Sequence, residues 1–255
     1  MHLELPRTGL GRYKSNSQRA RIATEAWGEE NLYCLNCDSN ELSRRPPNTK
    51  AVDYICPNCD ALFQLKAQSH SFGKKIVDAA YGAMLQKIRE DQTPNLVALH
   101  YESDSWRVRN LFFVPHFAFS ISAIEKRKPT RPAGRTSDWI GCNILLEGIP
   151  PDAWIPLVED GKPTNPRLAR KQFAKIRPLA KLRPEMRGWT LDVLNLVRSL
   201  HKQTFTLSDA YTLEPHLASL HPANRHVRDK IRQQLQVLRD LGLLSFLSPG
   251  QYSLT

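Results

Sequence analysis

CLNCDSNELSRRPPNTKAVDYICPNCDALFQLK, residues 34 to 66, interleaves two kinds of site. Cys34 and Cys37 form one C-x2-C pair, Cys56 and Cys59 form another, and 18 residues separate them. That is the spacing of a four-thiolate zinc site. A disulfide framework and a redox C-x2-C are the rival readings, and a cytosolic setting favours structural zinc over both. Through the same stretch runs an Asp-x10-Gln-x-Lys pattern made by Asp53, Gln64 and Lys66. Lys50 to Ile55 and Ala61 to Ala67 read as short strands, with the turn residues Pro57 and Asn58 between them. A period of two puts Gln64 and Lys66 on one side and Phe63 and Leu65 on the other, and a paired Asp53 joins the polar side. One acid and an alternating polar pair occur by chance in many solvated sheets, so spacing alone leaves catalysis open.

Outward from this ribbon, the chain has 255 residues, long enough for one large domain and a smaller one. It carries 36 Lys and Arg against 25 acids, a net charge of +11 that attracts polyanions such as nucleic acid. No apolar run approaches the roughly 20 residues of a spanning helix. The start MHLELPRTGLGRYK lacks the apolar region of a signal peptide, so a soluble cytoplasmic protein with no membrane partner is expected. Cys142, the fifth cysteine, reads as a buried inert thiol.

Ser15 to Trp27 reads as a helix leading into the ribbon, with Glu25 near its end as either an extra metal ligand or a solvated side chain. Lys74 to Glu90 reads as a helix with Ile76, Ala80, Ala83, Met84 and Ile88 on one stripe, and Leu96 to Tyr101 and Leu111 to Val114 as buried strands. The order is that of an α/β domain. Glu125 to Arg135 is a basic loop offering Lys126, Arg127, Lys128, Arg131 and Arg135 to phosphates, or merely solubilising the surface. Trp139 follows, as a base contact or a core residue. Arg167 to Lys175 reads as a helix, Pro178 to Pro184 as a break, and a new unit as starting near Gly188.

That unit reads as a winged helix: helices Leu191 to His201, Ser208 to Leu220 with Ser208 as N-cap, and Asn224 to Leu241. A hairpin of Leu244 to Leu247 and Gln251 to Leu254 follows. At about 100° per residue, Val227, Ile231, Leu235 and Leu238 form a buried stripe in the third helix. Arg225, Arg228, Arg232, Gln236 and Arg239 gather on the other side, the composition of a recognition helix or of a solvated face.

Several ordered segments carry a resemblance: YKSNSQ and ARIATE near the start, both cysteine pairs, Asp53 with Gln64-Leu65-Lys66, RKP at 127 to 129, WIGCNI at 139 to 144, RGWT at 187 to 190 and KIRQQLQVLRD at 230 to 240. Over nearly its whole length the chain resembles the DpnI-like methyl-directed type II restriction endonucleases of the PD-(D/E)xK superfamily. The resemblance implies an α/β PD-(D/E)xK core with a four-cysteine zinc site over residues 1–183 and a winged-helix domain over 184–255. It implies metal-dependent cleavage of double-stranded DNA at GATC containing N6-methyladenine, giving 5′-phosphates and blunt ends, by a monomer. Asp53, Gln64 and Lys66 then fall on the catalytic motif, with Asp53, Gln64 and the Leu65 carbonyl holding Mg²⁺ or Mn²⁺. Cys34, Cys37, Cys56 and Cys59 fall on the zinc ligands, and Trp139 on the aromatic that meets the methylated adenines. The departure is Gln64, where the family usually has Glu; a neutral amide weakens metal binding. A non-cutting reader of methylated DNA is the alternative this raises. A zinc-ribbon transcription or translation factor ranks last, because it leaves the Asp/Gln/Lys ribbon unexplained.

Overall fold

The computed structural model describes residues 1–46, 51–128 and 140–255. In chain order the elements are α1 (Asn16–Asn31), β1 (Ser43–Arg44), β2 (Tyr54–Ile55), β3 (Leu62–Gln68), β4 (Lys75–Ala80), α2 (Tyr81–Arg89), β5 (Asn95–Glu102), β6 (Arg107–Val114), β7 (Ile124–Lys126), β8 (Gly141–Leu145), β9 (Ile155–Glu159), β10 (Lys162–Pro163), α3 (Pro166–Ile176) and α4 (Pro184–Ser199). The chain ends with β11 (Thr204–Thr206), α5 (Leu207–Tyr211), α6 (Glu214–Leu220), α7 (Val227–Asp240), β12 (Leu244–Ser248) and β13 (Gln251–Leu254). Contacts divide them into two compact units that interleave along the chain.

The first unit comprises Met1–Gly73, Pro94–His116 and Trp154–Phe173. Its frame is a seven-stranded sheet in the order β1-β2-β3-β5-β6-β9-β10, with β3 and β5 parallel and the other neighbours antiparallel. Residues 95 to 99 of β5 are all buried, the pattern of a strand covered on both faces. Phe63 and Phe113 pack tilted, with ring centroids 6.0 Å apart, and Phe113 meets Phe173 edge to face at 5.9 Å. Helix α1 is seated by the buried Tyr54, whose hydroxyl donates to the Glu25 carbonyl at 2.7 Å. A side chain at Gly28 would run into that hydroxyl, so glycine is required where the helix crosses β2.

The second unit comprises Lys74–Thr93, Phe117–Ala153 and Ala174–Thr255. Lys75 to Ala80, expected as helix, is a strand antiparallel to β8, because Ile76 and Asp78 are buried while Val77 and Ala79 are exposed, a period of two; only Tyr81–Arg89 is helical. Glu125 and Lys126 pair with β8 as part of β7 and so do not belong to a free loop. The C-terminal part has the winged-helix order of helix, strand, three helices and a β12–β13 hairpin, with β11 completing a sheet in the order β11-β13-β12. Three expectations are corrected. Helix α4 starts at Pro184, which pre-sets its first turn, so Gly188 lies inside the helix. The N-cap of the second helix is Thr206, in a capping box with Asp209, and Ser208 lies inside the first turn. The expected helix from Ser208 to Leu220 is two short ones, with Pro215 near the start of α6.

Helix α4 is tied to earlier segments of its unit by polar bonds. Arg187 pairs with Asp91, and Asn195 donates to the Glu147 carbonyl at 2.7 Å. The Asp192 side chain, 4% exposed, accepts from Ser120 at 3.1 Å, Ser122 at 2.6 Å and His221 Nε2 at 2.8 Å. Asp192→Ala takes the shared acceptor from the Ser120–Ser122 hydroxyl pair and from the His221 imidazole, and is expected to cost about 2–4 kcal/mol in urea unfolding. A shift under about 0.5 kcal/mol, the size of an ordinary surface substitution, would show that the network contributes nothing net.

Candidate active site and zinc centre

All four thiols of the ribbon converge, with their sulfurs within 4.8 Å of one another. The Cys34 and Cys59 sulfurs lie 3.7 Å apart, and those of Cys37 and Cys56 3.5 Å apart. Disulfide sulfurs bond at about 2.05 Å. Zinc–thiolate bonds of about 2.3 Å in a tetrahedron place neighbouring sulfurs about 3.8 Å apart. The cluster therefore fits zinc and not a disulfide framework.

Burial pushes the Cys34 thiol up. At Cys56 burial also acts upward, but the Asn58 and Cys59 amides and the Cys37 and Cys59 thiols together outweigh it and bring the thiol down to about 7. Asn36 N–H points at the Cys34 sulfur at 3.3 Å. From α3, Arg170 binds the Cys34 carbonyl at 3.2 Å and the Ser39 carbonyl at 2.9 Å, and lies 5.3 Å from the Tyr33 ring centroid.

One turn beyond the cysteines lies the Asp53 ribbon. Strands β2 and β3 pair with Tyr54 opposite Phe63 and Ile55 opposite Leu62. Pairing is shorter than the expected Lys50 to Ile55, and Lys50 lies outside the described residues. Asp53 N–H also donates to the Phe63 carbonyl, at 2.8 Å, so Asp53 and Tyr54 both meet Phe63 and the ladder bulges. Bulges re-aim a side chain. Here the Asp53 carboxylate takes the Leu65 N–H at 2.7 Å, a donor left beyond the end of β2. Alternation along β3 sets the Leu65 carbonyl on that same edge.

Asp53, Gln64, Leu65 and Lys66 line one open cleft of about 560 Å³, together with Arg21 and Glu25 of α1, His70 and Tyr101. Burial pushes the Asp53 carboxyl up; the Leu65 amide opposes this, Glu25 adds to it, and Lys66 and Arg21 oppose it. Its negative charge is thus costly until a cation arrives. Glu25, whose exposed reading is overturned, has a side chain only 11% exposed and pairs with Arg21 at 2.5 Å and with Arg44.

On α7, Val227, Ile231, Leu235 and Leu238 are buried, and Arg228, Arg232, Gln236 and Arg239 are exposed; the helix starts at Val227 rather than at the expected Asn224, so the exposed Arg225 lies just before it. Arg228 pairs with Glu214 at 2.7 Å and lies over Tyr211, and Arg239 lies over Phe246. Gln234, read as neither, is fully buried and accepts from Thr190 at 2.7 Å. Lys126, Arg127 and Lys128 lie at the end of β7 and just past it; Arg131, Arg135 and Trp139 lie outside the described residues. Among the described residues no helix is long and apolar enough to cross a membrane.

Sequence reasoning missed Arg21, His70 and Tyr101 as cleft residues. For Arg21 the signal was present, since Arg21 and Glu25 stand four apart on a helix and must share a face. Comparison with protein-family models agrees with both halves of the structure. The model described as DpnI, Dam-replacing family, matches residues 1–182, and that described as Dam-replacing HTH domain matches residues 185–254. With a thiolate cluster fit for zinc, a cleft on the sheet lined by Asp53, Gln64 and Lys66 and a winged helix at its C-terminus, the chain belongs to the DpnI, or Dam-replacing, family of restriction nucleases.

Proposed function

We propose that this protein is a methylation-dependent restriction endonuclease that cuts double-stranded DNA at GATC carrying N6-methyladenine. One observation carries the reading: a bulge at the end of β2 delivers the Asp53 carboxylate to the edge of β3, in the cleft lined by Gln64 and Lys66. Asp53, the Gln64 amide oxygen and the Leu65 carbonyl are the oxygen donors suited to Mg²⁺ or Mn²⁺. Bound there, such a cation would polarise the phosphate and offset the charge that develops on it. Lys66 orients the attacking water and favours its deprotonated form. Water oxygen bonds to phosphorus, the P–O3′ bond breaks, and a 5′-phosphate and a 3′-hydroxyl result, with a blunt cut expected.

In this reading Cys34, Cys37, Cys56 and Cys59 hold a zinc ion that does no chemistry on DNA but stiffens the ribbon carrying Asp53. Residues 1–183 form the nuclease part and 184–255 the DNA-binding part, and a single chain suffices. Arg225, Arg228, Arg232 and Gln236 read the major groove, while Lys126, Arg127, Lys128, Arg131 and Arg135 hold phosphates. Trp139 senses the methyl groups, for which an apolar ring is the natural partner, since N6-methylation replaces a donor hydrogen by an apolar group in the major groove. Gln64 favours a second reading, a reader that binds methylated DNA without cutting it, because a neutral amide removes one charge from the metal site.

A plasmid digest separates the two. Adenine-methylated GATC plasmid is expected to be cut with Mg²⁺ or Mn²⁺, and unmethylated plasmid to remain largely intact. Survival of the methylated plasmid with both metals would rule out the enzyme.

A further inference from the structure

Glu25 and Arg21 are conspicuous in the cleft because the Asp/Gln/Lys motif has no use for them. Ser17, Ala20, Arg21, Thr24 and Glu25 all line it, and their spacing makes them one face of α1. A carboxylate so close to Asp53 invites assignment as a further metal ligand. The bonds argue otherwise. Glu25 Oε1 accepts from Arg21 Nε at 2.5 Å, and Oε2 accepts from Arg44. Arg44 is fixed in turn by its backbone, paired with Tyr54 in β1–β2. Both carboxylate oxygens are thus held by guanidinium groups from two different elements, a geometry that charge-assisted bonds make strong.

Arg21 spends only its Nε on Glu25; its side chain is 61% exposed, and its terminal nitrogens have no partner among the described residues. Counting the charged groups around the motif, Asp53 and Glu25 face Lys66, Arg21 and Arg44, an excess of cation in a cleft meant for a polyanion.

We infer that Glu25 is a positioning residue rather than a metal ligand, and that it holds Arg21 so that the guanidinium binds a DNA phosphate beside the scissile bond. A guanidinium suits this task because its fork matches two phosphate oxygens while the Nε bond fixes its plane. The inference rests on the nuclease reading of the cleft and adds to it the residue that grips the backbone.

Three variants test it on the full-length, zinc-loaded protein: Arg21→Ala, Arg21→Lys and Glu25→Gln, with circular dichroism to show that each is folded. Binding of a methylated GATC duplex is measured over a salt series with Ca²⁺ in place of Mg²⁺, and cleavage over a Mg²⁺ series. Arg21→Ala is expected to reduce the slope of log K against log salt by about 0.9, the value of one lost phosphate contact. It is expected to lower kcat/KM about a hundredfold, with part of the rate restored in Arg21→Lys. Glu25→Gln is expected to lower the rate about tenfold, with the half-saturating Mg²⁺ concentration unchanged within about twofold.

A tenfold or larger rise in half-saturating Mg²⁺ in Glu25→Gln, with an unchanged salt slope in Arg21→Ala, would overturn the inference and make Glu25 a metal ligand. Failure of the nuclease reading looks different. In that case the wild-type protein itself leaves methylated plasmid intact, whatever these variants do.

Discussion

Lys66→Ala is expected to lower cleavage of methylated GATC duplex by about a thousandfold or more while leaving its affinity for that duplex within about threefold. Lys66 stands on β3 two residues beyond Gln64 and lines the cleft with Asp53. Its ammonium is the group there that can both orient a water and favour hydroxide over water. In the proposed mechanism, removing it takes away an interaction made with the attacking group, which grows as charge develops, so the loss falls on kcat and not on binding. In the proposed complex binding is spread over other cations, such as the exposed Arg225 just before α7 and Arg232 on it, and one lysine is a small share of it. Single-turnover cleavage and an equilibrium shift assay in Ca²⁺ separate the two. A Lys66→Ala enzyme that digests at the wild-type rate would remove Lys66 from the mechanism. One that no longer binds would make it a DNA contact.

Loss of zinc is expected to be the most damaging change to the fold of the first unit. The four sulfurs lie together beside the Asp53 ribbon, and α3 reaches them through the Arg170 bonds to the Cys34 and Ser39 carbonyls. Structural zinc in small sites contributes apparent free energies of about 10–16 kcal/mol near neutral pH. Cys56→Ser, which leaves three thiolates and a poor fourth ligand, is therefore expected to lower Tm by about 10 °C or more and to abolish cleavage. One zinc ion per chain is expected by elemental analysis. A zinc-free preparation with unchanged Tm and full cleavage would refute a structural metal here.

The pH dependence follows from the thiols. Cys34, pushed up by burial, and Cys56, brought down to about 7 by neighbouring amides and thiols, must both be deprotonated to bind. Zinc uptake releases their protons, so the apparent zinc affinity rises with pH. It falls as pH drops, by about tenfold per unit for each proton released. Chelation at pH 6 should strip the site far more readily than at pH 8, and equal resistance at both would contradict thiolate ligation.

Much of the site was legible along the chain because zinc spacing and strand alternation are local rules. The two C-x2-C pairs needed only their spacing, and the side chains of α7 separated correctly into buried Val227, Ile231, Leu235 and Leu238 and the exposed arginines. What misled was a shared apolar pattern: Ile76, Ala80, Ala83, Met84 and Ile88 suit a helical stripe, yet Lys75–Ala80 pairs with β8 because that sheet needs a strand there. The same kind of override placed the second N-cap at Thr206, since β11 occupies Thr204–Thr206 and the helix can start only where that strand ends.

Amino-acid order by itself determined the four thiolates, the Asp/Gln/Lys ribbon and the winged-helix sequence of elements, because each depends on neighbours within a few residues or on one fixed spacing. Only the tertiary structure decided that Asp53 reaches the edge of β3 through a bulge, and that Glu25 is bracketed by Arg21 and Arg44. The physical reason is that a carboxylate's role depends on which cations and amides surround it, and here those come from α1, β1 and β3 at separations along the chain that no local pattern records.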